Sequence, residues 1–396
     1  MVSSEMLELG RHRSVIREIA EFGSKRRAEV GPENVFDFSI GNPNVPTPQA
    51  VTDTMLRLIK ETPAVDLHAY TSAAGDMQVR QAIGQHIKDT FSFDAPAKFI
   101  YMTPGAAASL AISLNALAEE GDEVLTFAPY FPEYKVYAEK AGAKFIPVQC
   151  QAGTFQVDGA ALEAAITPHT KAIIVNSPNN PTGVVLNEES IQTMTSILSA
   201  KSAEFGRPIF LIADEPYREL VYDGTPVPYL PHYYPNTIVC YSYSKTLSLP
   251  GERIGYIFVS PKAQDAEAVF DAVFGAGRAL GYICAPSLFQ LLIKECLGCT
   301  ADISVYDTNR KLLYNALTEY GFEAVFPDGA FYLFLRSPEP DANAFCEKAR
   351  AFDILMVPSD DFGCTGYVRV AYCVTTEQIR RSLPAFRQLA KLYMGE

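Results

Sequence analysis

The sequence has few features of a membrane, metal-binding or nucleic-acid-binding protein. No uncharged apolar run reaches membrane-spanning length, and the first residues lack the apolar core of a signal peptide, so we expect a cytoplasmic location and no membrane partner. The five histidines lack metal-ligand spacing, and the close pair Cys296 and Cys299 has no second pair to complete a zinc site, so we expect no metal. A formal net charge of −13 disfavours nucleic acid as a partner.

No repeat or Gly/Ser-rich linker divides the chain, and its central pattern is that of an α/β protein. From Lys98 to Ser260, short apolar runs alternate with helical stretches near 105–118, 131–141 and 188–200. The apolar runs predict strands, which read KFIYM, EVLTFA, KFIPVQ, KAIIVNS, PIFLIAD, TIVCYS and IGYIFVS. Strands that are apolar throughout and separated by helices predict a largely parallel sheet covered by helices on both faces.

The two ends of the chain have different patterns. Residues up to about Glu29 have the spacing of an amphipathic helix, whose basic run from Lys25 to Arg27 is expected to form a solvated face. The following segment, VFDFSIGNPNVPTP, predicts an extended crossing between domains. The C-terminal part of the chain predicts a second, smaller α+β unit. Its pattern is a long helical region (about 287–320), the strand FYLFL, a helix, the run GYVRVAY and a helix from Thr376.

Lys245 is the residue from which a function can be argued. The strand that begins at Thr237 ends in a Ser-rich segment carrying Lys245, and Arg253 follows after a Pro-Gly turn. Open α/β sheets bind ligands at the carboxyl ends of their strands. Burial and the guanidinium of Arg253 would both lower the pKa of the lysine towards a neutral amine, which can form a Schiff base. The alternative is a solvated loop lysine.

Two of the predicted strands end in groups that suit an anion and a cation. KFIYMTPGAAASL passes through Gly105 into an Ala-rich helix, whose free amides at Ala106 and Ala107 would form a phosphate cradle, unless the glycine only makes a turn. Asp214 ends PIFLIAD, where a buried carboxylate needs a cationic partner unless it caps the following turn.

Three further residues could contact a flat ring. Asn180, in the turn-rich NNPTG, and Tyr217, three positions after Asp214, can each hydrogen-bond a ligand oxygen. Phe131 follows the strand EVLTFA and could either stack on a ring or belong to the core. Together, these groups describe a site for pyridoxal phosphate. The phosphate cradle with Ser242 and Arg253 would bind the phosphate, Phe131 would stack on the ring, and Asp214 would face the ring nitrogen. Asn180 and Tyr217 would bind the ring hydroxyl, and Lys245 would supply the amine.

The sequence resembles the class I and II aminotransferases of fold type I, which are aspartate aminotransferase-like. The resemblance runs from about Val35 to the C-terminus, and its motifs occur in the family's order and spacing: SIGNP, YTSAAGDMQVR, NNPTG, ADEPY, SYSKTLSLPGERIGY and GYVRVAY. It implies a homodimer with two shared active sites. It also implies a large domain (46–286) that binds pyridoxal 5'-phosphate, and a small domain formed by both chain ends (1–45 and 287–396).

The resemblance also assigns roles to the catalytic and cofactor-binding residues. It implies that Lys245 holds the cofactor as a Schiff base and later moves a proton, while Asp214 keeps the ring nitrogen protonated so that the ring acts as an electron sink. Tyr217 and Asn180 resemble the residues on the phenolic oxygen. The family's phosphate site is matched in this sequence by Gly105, Ala106, Ala107, Ser242 and Arg253. Tyr70 resembles the tyrosine that reaches this site from the partner subunit.

The substrate-binding residues follow from the same resemblance. Arg369 matches the arginine that binds the substrate α-carboxylate through two parallel hydrogen bonds, and Gly41 matches a glycine whose backbone passes close to the substrate. Asn180 is expected to contact the substrate as well as the cofactor. Arg278 lies within one position of an arginine that binds a distal carboxylate in some aspartate-specific members, although it could equally be solvated. Phe131 stands where many members have tryptophan, and Cys284 stands about where asparagine is usual.

These residues predict an aminotransferase that exchanges an amino group between an L-amino acid and a 2-oxo acid by a ping-pong cycle. A C–S or β-lyase on the same fold is the first alternative, because the same carbanion can eliminate a β-substituent. A ligand-sensing regulator without turnover is a second alternative, although the short N-terminal segment leaves no room for a DNA-binding domain.

Overall fold

The structure is a computed structural model that describes residues 2–11 and 15–394. Residues 12–14, within the predicted N-terminal helical arm, lie outside the described residues. The helices are α1 (Ser4–Arg11), α2 (Val15–Val30), α3 (Gln49–Glu61), α4 (Ala64–Leu67), α5 (Met77–Phe91), α6 (Ala106–Leu117), α7 (Glu133–Lys140), α8 (Gly159–Ala165), α9 (Glu188–Phe205), α10 (Tyr243–Thr246), α11 (Ala266–Leu280), α12 (Ser287–Cys296), α13 (Ser304–Glu319), α14 (Ala342–Arg350) and α15 (Thr376–Met394). The strands are β1 (Phe36–Asp37), β2 (Ile100–Thr103), β3 (Glu123–Ala128), β4 (Lys144–Gln149), β5 (Thr170–Asn176), β6 (Phe210–Asp214), β7 (Thr237–Ser242), β8 (Gly255–Val259), β9 (Ala324–Val325), β10 (Tyr332–Arg336), β11 (Ile354–Leu355), β12 (Val357–Pro358) and β13 (Tyr367–Ala371).

The large sheet contains the seven strands that the apolar runs predicted. Within the described residues its strand order is β2-β8-β7-β6-β5-β3-β4. Strands β3 to β7 pair in parallel, whereas β8 is antiparallel to both of its neighbours. Every residue of β6 and β7 is buried, as expected for central strands covered on both faces. The predicted α/β fold is therefore confirmed.

Helices pack against this sheet. Helix α6 is buried along much of its length and packs on α11, β7 and β8. Helices α7 and α8 pack on the edge strand β4. Within residues 2–11 and 15–394, each helix is either too short or too polar to cross a bilayer.

A second hydrophobic core surrounds a smaller antiparallel sheet with the order β12-β13-β10-β9. Near it, β1 from the N-terminal part of the chain pairs in parallel with β11 from the C-terminal part. The predicted long helical region of 287–320 is divided into two helices, α12 and α13. Helix α12 packs on α3 and α5 beside the large sheet, whereas α13 packs on α15 in the second core. The helix breaks where the chain passes from one core to the other.

The N-terminal arm is tied to the smaller unit more firmly than its sequence predicted. Ile19 is buried in a small apolar cluster with residues of β11 and β12. The basic run was expected to be solvated, but two of its residues form ion pairs. Arg26 Nε donates to Asp353 Oδ1 at 2.6 Å, and Arg27 Nη2 donates to Asp37 Oδ2 at 2.5 Å. The expectation holds for the exposed Lys25 and was wrong for Arg26 and Arg27, because Asp353 and Asp37 lie outside the helix.

Candidate active site

A cavity of about 270 Å³ lies at the carboxyl-terminal edge of the large sheet, between that sheet and the smaller unit. Residues at the ends of β5 and β6 form part of its wall, and residues of β10 and β13 form another part. The structure brings nine of the predicted site residues to this cavity: Gly41, Ala106, Ala107, Phe131, Asn180, Asp214, Tyr217, Lys245 and Arg369.

Lys245 lies in the short helix α10 directly after β7, and its side chain reaches the chain segment that follows β1. Its Nζ donates a hydrogen bond to the backbone oxygen of Gly41 at 2.8 Å. Burial, opposed by Cys373 and reinforced by the nearby cations Arg253 and Arg369, lowers the pKa of Lys245 to about 8. A pKa near 8 leaves a substantial fraction of neutral, nucleophilic amine close to neutral pH.

Asp214 is the last residue of β6 and is only 5% exposed. Its Oδ2 accepts a hydrogen bond from the hydroxyl of Tyr134 at 2.5 Å, whereas its Oδ1 has no partner among the described residues. Burial raises the pKa of Asp214 to about 7. A buried carboxylate oxygen without a donor is costly, so the site is ready to accept an N–H group from a ligand, preferably a cationic one.

The turn before α6 and the region around Arg253 form an anion-binding corner. Gly105 precedes α6 with a φ of 89°, and no side chain among the described residues caps the amides of that helix. A Cβ atom at Gly105 would lie 2.7 Å from Arg253 Nη2, so a larger residue would displace the guanidinium. Ser242 caps α10, and its Oγ lies 2.8 Å from Ser244 Oγ, which accepts a weak hydrogen bond from Arg253 Nη1 at 3.4 Å. Free amides, hydroxyls and a guanidinium suit a phosphate group.

Tyr217 and Phe131 form other walls of the cavity. The hydroxyl of Tyr217 lies 2.9 Å from that of Tyr332, so one of the two donates a hydrogen bond to the other. Burial raises the pKa of Tyr217 well above its ordinary value, which keeps it a donor. Phe131 is half-buried and contacts Tyr134 edge to face, with ring centroids 5.7 Å apart.

Arg369 lies on β13 and extends from the smaller sheet to the cavity. It is 2% exposed, and its Nη1 and Nη2 donate to Asn180 Oδ1 at 3.0 Å and to Ser39 O at 2.6 Å. Its Nε has no partner among the described residues. The guanidinium also lies 4.7 Å from the ring centre of Tyr332. This arrangement holds the cation in place and leaves a donor for a carboxylate.

Gly41 is required by close packing. A Cβ atom at this position would lie 2.0 Å from the hydroxyl oxygen of Tyr332. The absence of a side chain lets the backbone approach both Tyr332 and Lys245.

Five predicted site residues are not among the described residues that line the cavity. Gly105, Ser242 and Arg253 belong to the adjacent corner, whereas Tyr70 and Arg278 lie elsewhere. Tyr70 is 94% exposed. Arg278, in the last turn of α11, is exposed and pairs with no described side chain.

Three residues in or beside the site were missed by the reading of the sequence. Tyr134, which hydrogen-bonds Asp214, lies three positions after Phe131 in the same FAPYFPEY segment. Ser244 lies between Ser242 and Lys245, and its position in a Ser-rich turn was a usable signal. Tyr332 was assigned only to the strand FYLFL, and nothing in that run distinguished it from a core aromatic.

The chain was compared with protein families and with solved structures. Residues 33–386 match the family model described as aminotransferase class I and II. A solved aminotransferase from Eubacterium rectale is 54% identical, with a TM-score of 0.98 and coverage of 99% of each chain. The aspartate aminotransferase of Thermus thermophilus, solved with maleate, is 25% identical, with a TM-score of 0.85 and coverage of 98% of this chain and 100% of that chain.

Curated relatives carry the names of several aminotransferases. A probable N-acetyl-LL-diaminopimelate aminotransferase of Bacillus subtilis is 29% identical over 89% of this chain and 88% of its own length. An aspartate aminotransferase of Pyrococcus horikoshii is 28% identical over 97% of this chain and 95% of its own length. These names support amino-group transfer over the lyase alternative. The chain belongs to the class I and II aminotransferases and is an enzyme of that family.

Proposed function

We propose that this enzyme uses pyridoxal 5'-phosphate, held by Lys245, to exchange an amino group between an L-amino acid and a 2-oxo acid by a ping-pong cycle. The observation that carries the proposal is the unpartnered Oδ1 of buried Asp214, which lies in the same cavity as a lysine of lowered pKa. Perturbed ionisable groups that converge on one cavity are typical of a catalytic site.

The residues present fit this cofactor. The Asp214 oxygen that lacks a donor would accept the N–H of a pyridinium ring, which would replace the missing cationic partner. The anion-binding corner beside Gly105, with Ser242 and Arg253, would hold the phosphate. Tyr217 would donate to the ring oxygen, and Phe131 would cover the ring. When bound, the cofactor supplies an electron sink for the negative charge that develops on the substrate α-carbon.

Substrate binding would use the cation on the smaller sheet. Arg369 has a free Nε and is fixed by Asn180 and by the backbone of Ser39, so a substrate carboxylate would meet an oriented guanidinium. Lys245 would then remove the proton from the substrate α-carbon and deliver it to carbon C4′ of the cofactor. Its lowered pKa lets the same amine act first as a base and then as an acid near neutral pH.

The proposed enzyme is a homodimer with shared sites. Tyr70 is 94% exposed and could complete the phosphate site of a partner subunit. Other large apolar side chains are exposed on the same part of the sequence and on the segment after α11, as expected for a covered surface: Leu56, Ile59, Val65, Met77, Tyr282 and Ile283. Burial of these residues by a second copy would remove an apolar surface from water.

The first test is a visible absorbance spectrum of the purified protein with added cofactor, followed by single amino acids and identification of the products. We expect a band from the lysine-bound cofactor that is lost as a 2-oxo acid forms. Lys245→Ala should lack the band and the activity while remaining folded, whereas Lys98→Ala, at an exposed ion pair, should retain both. Release of ammonia and pyruvate with loss of a β-substituent would favour the lyase, and a normal Lys245→Ala enzyme would refute the proposal.

Shared sites can be tested by mixing two inactive variants. In a mixed dimer of Lys245→Ala and Tyr70→Ala subunits, one site combines the native lysine of the second subunit with the native tyrosine of the first. We therefore expect activity to reappear on mixing and subunit exchange. If Tyr70 served its own subunit, every site of the mixed dimer would carry one change, and no activity would return.

A further inference from the structure

A buried polar network lies behind Lys245, on the side away from the cofactor cavity. Its central residue is Glu219, in the turn that follows β6. Glu219 Oε2 accepts a hydrogen bond from Thr246 Oγ1 at 2.7 Å, and Glu219 Oε1 accepts one from Tyr241 OH at 2.8 Å. The hydroxyls of Tyr241 and Thr246 are also 3.2 Å apart. The three side chains therefore form a closed triangle directly behind the lysine-bearing helix.

The turn that carries Glu219 is itself fixed. Glu215 and Arg218 form a bidentate ion pair whose side chains are 3% and 5% exposed. Arg218 also donates to the backbone oxygens of Val227 and Pro228, at 3.2 and 3.1 Å. Its guanidinium also lies 5.1 and 5.2 Å from the ring centroids of Phe91 and Tyr229. These contacts hold the turn that carries Glu219.

This network joins the segments that carry two residues of the cavity wall, Asp214 and Lys245. Asp214 ends β6 and begins the segment that carries Glu215, Arg218 and Glu219. Thr246 directly follows Lys245 in α10, which has only four residues. Such a short helix has little internal hydrogen bonding to hold its side chains in register. The contact between Glu219 and Thr246 therefore ties the lysine-bearing helix to the strand that carries the carboxylate.

We propose that Glu219 is a positioning residue, which holds Lys245 at its distance from Asp214 through the hydroxyl of Thr246. Glu219 lines a separate cavity of about 420 Å³ together with Thr246 and Tyr241, and none of its lining residues is shared with the cofactor cavity. Glu219 therefore acts from outside the cofactor cavity. The inference rests on the proposed function, because it assigns Lys245 the capture of the cofactor.

The test measures the rate at which cofactor-free protein captures pyridoxal phosphate, in wild type and in Glu219→Ala, Thr246→Val and the double variant. A displacement of a reacting group by about 1 Å can cost about a hundredfold in rate, so we expect each single change to slow capture by about 10- to 100-fold. Because both changes break one contact, the double variant should be no slower than the slower single variant. Thr246→Val preserves the shape of the side chain and serves if Glu219→Ala folds poorly.

A second readout separates position from general damage and does not require the cofactor. The amine of Lys245 faces Arg253, Arg369 and Cys373, and it can be labelled with an amine reagent over a range of pH and quantified by peptide mass spectrometry. Loss of its position should raise the labelling midpoint by about one pH unit, towards that of a hydrated lysine. Glu219→Gln, which keeps one acceptor, should lie between wild type and Glu219→Ala. Glu267→Ala, at an exposed ion pair, should match wild type.

The outcomes distinguish the two proposals. Wild-type capture rates and labelling midpoints in Glu219→Ala and Thr246→Val would overturn the positioning role and leave the proposed function intact. Independent losses that multiply in the double variant would also overturn it. If wild type itself captured no cofactor, the proposed function would fail, while the labelling midpoints would still decide whether Glu219 positions the lysine.

Discussion

The buried carboxyl group of Asp214 makes a quantitative prediction about stability in the absence of cofactor. We expect Asp214→Asn to inactivate the enzyme but to make the cofactor-free protein more stable at alkaline pH. Asparagine has a similar shape and can still accept the hydrogen bond from Tyr134. It differs in having no charge to bury, so the comparison isolates the cost of the ionised carboxylate.

The size of the effect follows from the pKa of Asp214, which burial raises from its ordinary value of 3.8 to about 7. Below pH 3.8 both the folded and unfolded states bind the proton, and ionisation costs nothing. Between pH 3.8 and 7 the folded state binds more protons than the unfolded state, so the free energy of unfolding falls as the pH rises. Above pH 7 the loss is complete and amounts to about 4 kcal/mol.

The assay is denaturant unfolding of cofactor-free wild type and Asp214→Asn at pH 5 and pH 8. Between these two values the stability advantage of the variant should widen by about 2.5 kcal/mol. Asp94→Asn, at an exposed position, serves as the matched control and should track wild type. Added pyridoxal phosphate should stabilise wild type more than the variant, because the ring N–H would satisfy the carboxylate. Parallel stability curves for wild type and Asp214→Asn would refute the argument.

Three further substitutions test other contacts of the site. Tyr134→Phe removes the only donor to the side-chain carboxylate of Asp214 among the described residues. The lost hydrogen bond to a charged group is worth about 1.5–3 kcal/mol, so the pKa of that carboxyl should rise by about one to two units. The shift should be visible in the pH profile of kcat/KM, and an unchanged profile would contradict this. Arg369→Lys should raise the KM for amino acids by about 10- to 100-fold without loss of cofactor, because lysine lacks the planar fork, and an unchanged KM would count against its role. Gly41→Ala should lower kcat by about tenfold or more, because the new Cβ atom would lie 2.0 Å from the hydroxyl oxygen of Tyr332. Full activity of this variant would show that the backbone at residue 41 is free to move.

The large sheet could be predicted from sequence because each of its strands is a local signal. All seven apolar runs became strands, and β3, β4 and β7 have the same bounds as the predicted runs EVLTFA, KFIPVQ and TIVCYS. The division of 287–320 into two helices could not be predicted in this way, because both halves are helical and the break reflects which core each half meets. Short strands such as β1 and β11 exist only as a pair, so neither has a signal of its own.

The site was predicted where its residues follow strands and was missed where it depends on distant partners. Lys245 and Asp214 stand at strand ends, which is a position that can be read locally. The hydrogen bond of Tyr134 joins residues 80 positions apart, and the ion pair of Arg26 with Asp353 joins residues 327 positions apart. The domain boundaries, the roles of the site residues, the bound cofactor, the homodimer and the cytoplasmic location stay predictions.

The pairing of β1 with β11 has a consequence for the order in which the chain is made. All seven strands of the large sheet have left the synthetic machinery once Val259 has emerged, so that sheet can form while translation continues. Strand β1 is synthesised first but must wait for Ile354 and Leu355 before it can pair. The backbone of Gly41, which receives the hydrogen bond of Lys245, follows β1 directly. The segment around Gly41 therefore joins the proposed site only after residues 354–355 have emerged, and a ribosome stalled before residue 354 would carry the large sheet with an incomplete site.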